Sequence, residues 1–64
     1  QIPDLQQRLD ALGMSYYTLG IQAGVAPSTI WRWLNDRYTP HPIVAQHVDA
    51  VLTRLEVEAR ERAT

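Results

Sequence analysis

SYYTLGIQAGVAPSTIWRWLN, residues 15–35, is the stretch whose reading decides the fold. Ser15 is a suitable N-cap, because its hydroxyl can accept from a free first-turn N–H. Tyr16, Leu19 and Ala23 follow at helical spacings of three and four. Gly20 weakens that helix by about 1 kcal/mol relative to Ala. Such a cost implies a packing reason, a neighbouring helix too close for a side chain. Gly24 then ends the helix in a left-handed conformation. Val25 is expected as a buried turn residue. Pro27 suits the first position of a second helix, where no N–H is needed. In that helix Ile30, Trp33 and Leu34 form the apolar face, while Ser28, Trp31, Arg32 and Asn35 fall on the other side.

Outward from this stretch, residues 3–12 read as a leading helix. Pro3 opens it, and Asp4 favours the positive end of its dipole. Leu5, Leu9 and Leu12 lie on one face, and Gly13 is a natural stop. On the other side, RYTPHP (37–42) is expected as a non-helical connector, since two prolines bias the residues before them to extended backbone. A closing helix is expected over about residues 43–61. Its apolar rows are Val44, Val48, Val51, Leu55 and Ala45, Val48, Leu52, Leu55, Ala59. The charged end from Glu56 to Thr64 is expected to fray or stand free. The fold class that follows is all-α, a small four- to five-helix bundle. Its core would hold Leu5, Leu9, Leu19, Val25, Ile30, Trp33, Val44, Val48 and Leu52.

Composition narrows the function. The chain has 64 residues and reads as a single domain, 1–64, near the lower size limit for a self-sufficient core. It has no cysteine, and its two histidines, His41 and His47, are not spaced as a metal-binding pair. No metal or other cofactor is therefore expected, and both histidines read as plain surface residues. No apolar run approaches the roughly 20 residues that cross a bilayer. QIPDLQQRLD does not resemble a secretory leader, so a cytoplasmic setting is expected. Because the first residue is not Met, a processed or trimmed fragment is also an expectation.

The net charge is −1, which weighs against a nucleic-acid partner. Its distribution is uneven: −1 over 1–13, +1 over 14–48 and −1 over 49–64. All six basic residues are Arg, whose planar fork matches phosphates and guanine edges. Asp10, Asp49 and the glutamates read as solvated helix faces. Ser15 reads as a cap with no base beside it, so neither an enzyme nor a small-molecule substrate is expected.

Residues 15–35 meet the spacing requirements of a helix-turn-helix: a small residue, a turn glycine, then apolar residues that lock the second helix across the first. With the leading helix, the loop containing Pro40 and the closing helix, the chain resembles the helix-turn-helix domains of the phage lambda repressor and Cro class. The resemblance runs from Leu5 to about Leu55 and rests on Ser15, Leu19, Gly20, Gly24, Val25, Ser28, Thr29, Ile30 and Trp33. Two positions depart from the class. Gly20 stands where Ala is more usual, a change expected to be mild. Asp36 stands where Gly often follows the second helix.

The resemblance implies a sequence-specific binder of double-stranded DNA, a phage or bacterial regulator that represses by occluding polymerase. It places residues 27–35 in the major groove, with Ser28, Trp31 and Arg32 facing base edges and Arg32 as the main reader. Tyr16, Tyr17, Thr29, Asn35, Arg37 and Tyr38 would contact backbone or flank. Pro27 and Ala26 would touch a thymine methyl. The class commonly pairs subunits, which favours a homodimer through Leu52, Leu55 and Ala59 of the closing helix; the alternative for the same row is that it serves the core alone. Two other readings are compatible with the same residues. One is a DNA-targeting module of a recombinase, transposition or phage packaging protein. The other is a protein-interaction module, docking through Trp31 and Tyr38, that has lost DNA contact.

Overall fold

The computed structural model describes residues 2, 4–35 and 41–63. Among them the chain forms four α-helices and no strand: α1 (Leu5–Leu12), α2 (Tyr16–Ala23), α3 (Pro27–Asn35) and α4 (Pro42–Ala63). The all-helical class expected from the spacing is therefore observed.

The helix ends follow from local chemistry. Ser15 caps α2, its hydroxyl accepting from the Thr18 N–H at 3.2 Å. α1 and α2 end in the same way. Gly13 (φ 63°) and Gly24 (φ 70°) turn left-handed. The following N–H then reaches back to a freed carbonyl, Met14 to Leu9 at 3.0 Å and Val25 to Gly20 at 2.9 Å. This double-bonded ending satisfies carbonyls the helix itself cannot.

Three expected boundaries are corrected. α1 starts at Leu5 rather than Pro3, because Asp4 takes a left-handed conformation (φ 55°) and sits outside the helix. Pro42 is not part of a connector; it is the first residue of α4, where its fixed φ and missing N–H carry no cost. His41, just before it, is a capping residue, its Nδ1 accepting from the Ile43 N–H at 3.2 Å. The charged end is helical to Ala63 rather than frayed, and of the two expectations for it the second fits, since most of its residues from Val57 onward are exposed. The 22 residues of α4 span about 33 Å at 1.5 Å each, nearly the whole 36 Å long axis of the molecule.

The core draws on every helix. Leu9 of α1, Leu19 of α2, Ile30 of α3, and Val48 and Leu52 of α4 are its fully buried centre. Ile2, Leu5, Ala23, Trp33 and Val51 close around them. Val25 and Val44, expected inside, are half-buried at the margin. Both rows read on α4 are used, since Val48, Val51 and Leu52 are buried and Val44, Ala45 and Leu55 pack against them. The Trp33 indole N–H is buried with no partner among the described residues.

An ionic clasp joins the first helix to the last. Arg8 donates to Asp49 at 2.7 Å, to Glu56 at 2.7 and 3.0 Å, and to the Thr53 hydroxyl at 3.3 Å. Asp49 and Glu56 are thus paired, not simply solvated as their sequence setting implied. The two-pronged grip on Glu56 is the geometry in which a guanidinium–carboxylate pair contributes most. It holds the Glu56 carboxyl below the usual carboxylate range, first through the hydrogen bond from Arg8, against an opposing desolvation.

A carboxylate with a lowered folded pKa contributes stability above its unfolded pKa and loses it as pH falls through the folded value. Acid unfolding followed by circular dichroism should therefore show wild type losing stability below about pH 4.3. Glu56→Gln should lower stability at neutral pH and flatten that acid dependence. Arg8→Met should cost about 1–2 kcal/mol at neutral pH. An unchanged urea midpoint for Arg8→Met would contradict the clasp.

Candidate functional site

The chemistry-bearing surface starts from the junction of α2 and α3, the most extensive helix contact in the structure. Three residues, Gly24, Val25 and Ala26, separate the two helices. Gly20 is buried beneath this turn. A Cβ built on it would lie 2.8 Å from the Val25 carbonyl oxygen and 2.9 Å from Pro27 Cα. Both are backbone atoms and cannot swing aside. Glycine at 20 is therefore a requirement of this crossing, and an Ala there is not the mild change its size implies.

A second restraint comes from α4. His47 Nε2 lies 2.7 Å from the Ala23 carbonyl oxygen. A carbonyl only accepts, so the imidazole must donate from Nε2. His47, expected as a plain surface residue, thus ties α4 to the last turn of α2, beside the turn glycine. Nothing in the sequence marks it, because the partner is a backbone carbonyl 24 residues away.

Behind this turn, α3 presents one face inward and one outward. Ile30 and Trp33 are in the core, and Leu34 packs against it. Ser28, Trp31, Arg32 and Asn35 are all exposed. Their spacings of three, four and seven residues from Ser28 make a single outward stripe. It carries a hydroxyl, an indole, a guanidinium and an amide. The Asn35 amide donates to the Trp31 carbonyl at 2.8 Å, which commits it to the last turn of the helix.

The remaining expected contacts are scattered. Pro27 and Thr29 are half-buried, and Ala26 is exposed on the turn. Tyr16 packs against the core edge, whereas Tyr17 is exposed. Arg37 and Tyr38 lie outside the described residues. On α4, Leu55 and Ala59 are half-buried, but Leu52 is fully buried within this single chain. Leu52 therefore belongs to the core and has no surface left to offer a second subunit.

The described residues hold no cluster of three or more His, Cys, Asp or Glu able to bind a metal ion. No helix among them is long and apolar enough to cross a membrane. Comparison with known proteins finds no matching protein family, no matching curated protein and no matching solved structure.

Gly20→Ala tests the close approach directly. The Ala should gain about 1 kcal/mol of helix propensity, yet the protein should lose about 1–3 kcal/mol overall, because α2 and α3 must separate. A lower urea midpoint is the expected reading, and a raised one would contradict the packing.

Proposed function

We propose that this chain is a helix-turn-helix domain of the lambda repressor and Cro class that binds specific double-stranded DNA through α3. The observation that carries the reading is the division of α3. Ile30 and Trp33 are buried in the core, while Ser28, Trp31, Arg32 and Asn35 remain outward together. A helix held across its predecessor with an outward polar stripe fits a major groove about 12 Å wide. Arg32 reads a guanine through its two-pronged fork, and Ser28 donates or accepts beside it. Tyr17, Arg37 and the Asn35 amide N–H that the Trp31 carbonyl does not take contact the flanking backbone. Bound at an operator, the domain would block polymerase.

A net charge of −1 supplies little attraction for phosphate. A homodimer would double those contacts and set two half-sites about 34–36 Å apart. Of the three α4 residues expected to pair, Leu55 and Ala59 keep surface for it.

A second reading is supported by the same charge and by exposed apolar bulk. Tyr17 is 59%, Ile21 62% and Trp31 45% exposed. In that reading these side chains dock a protein, and no DNA is bound.

Selection from a random duplex pool separates the two. A DNA-binding domain should enrich one site, palindromic if the protein pairs, and should lose affinity steeply with salt. Absence of duplex binding at low salt would reject the proposal in favour of protein docking. On the selected site, Arg32→Ala should cost about 1–3 kcal/mol and relax preference at one base pair. Arg37→Ala should weaken all sequences alike and reduce the salt slope by about 1.

A further inference from the structure

Trp31 is the one large apolar side chain in the outward stripe of α3, and the core does not use it. Its neighbours on that face are polar: Ser28 three residues before it, Arg32 beside it and Asn35 four residues after it. The Asn35 amide holds the Trp31 carbonyl at 2.8 Å, fixing the helical turn that carries the indole. The side chain is 45% exposed.

An indole offers two things, a broad apolar ring and a single N–H donor, with no acceptor. Among the four bases, only thymine shows an apolar group in the major groove, its C5 methyl, and beside it an acceptor, O4. Cytosine presents an amino donor at the equivalent position. A methylated cytosine would therefore offer the methyl but set a donor against the indole N–H. Guanine offers acceptors without a methyl, and these suit Arg32 better.

Building on the DNA-binding reading above, we infer that Trp31 is a specificity-determining residue that selects one thymine through its C5 methyl and O4. Arg32 reads a guanine nearby. The discrimination at this position is apolar and donor-based, so it persists at salt concentrations that weaken phosphate contacts.

The test uses the chain on the duplex that emerges from site selection. Each thymine is replaced in turn by deoxyuridine, which removes only the methyl and leaves O4. Losing one buried methyl should weaken wild-type binding about fourfold at a single position and leave the others unchanged. Trp31→Ala should bind more weakly and show no deoxyuridine effect at that position. Trp31→Phe, which keeps an apolar ring but no donor, should retain the deoxyuridine effect and lose preference for thymine over 5-methylcytosine there. Circular dichroism melting of both variants checks that they fold, and Trp31→Phe serves if Trp31→Ala does not. A deoxyuridine effect in Trp31→Ala equal to that of wild type, an unchanged preference for thymine over 5-methylcytosine in Trp31→Phe, or no deoxyuridine effect anywhere would overturn the inference while leaving DNA binding intact. Failure of the wild-type chain to bind any duplex would overturn both.

Discussion

α2 and α3 cross as they do only because position 20 has no side chain. The Val25 carbonyl and Pro27 Cα occupy the space where a Cβ would stand, at 2.8 and 2.9 Å. The same glycine accepts the hydrogen bond from the Val25 N–H that closes the end of α2. One residue thus sets how near the turn comes and also helps end the helix before it. Its helix-propensity cost of about 1 kcal/mol is the local side of that constraint.

The rest of the molecule holds this crossing in place. Leu19 and Ile30, one from each partner helix, meet Leu9, Val48 and Leu52 at the centre of the core. His47 reaches from α4 to the Ala23 carbonyl, and Arg8 reaches from α1 to Asp49 and Glu56 on α4. These polar ties lie outside the fully buried centre of a small core. Each adds direction, because hydrogen bonds and two-pronged ion pairs tolerate little misalignment. α4 works as the frame, since it spans the long axis and receives both ties.

The outward face of α3 is a consequence of that frame. Once Ile30 and Trp33 are turned inward, helical geometry leaves Ser28, Trp31, Arg32 and Asn35 outside as one stripe. The stripe mixes a charge, two hydrogen-bonding groups and one indole. That combination suits a surface with both polar edges and methyl groups better than a uniformly charged or uniformly apolar one. In the DNA-binding reading proposed above, the low charge of the chain would place more weight on such short-range complementarity and less on phosphate attraction.

By itself, the sequence determined the features that depend on neighbouring residues. The Ser15 cap, the Gly13 and Gly24 ends, the Pro27 start and the apolar faces of α3 and α4 all follow from local spacing and backbone preference, and the structure shows each of them. The local cost of glycine at 20 already pointed to a neighbouring helix too close for a side chain, and the structure names the obstructing atoms, the Val25 carbonyl oxygen and Pro27 Cα. Only the tertiary structure decided the long-range partners. Arg8 lies 48 residues from Glu56, and His47 lies 24 from Ala23. Asp49, Glu56 and His47 are ordinary surface types with no local mark of a partner. Leu52 shows the same division: its spacing placed it on an apolar row, but only packing could assign that row to the core rather than to a second subunit. Spacing records which face of a helix is apolar, while the arrangement of the other helices determines what that face meets.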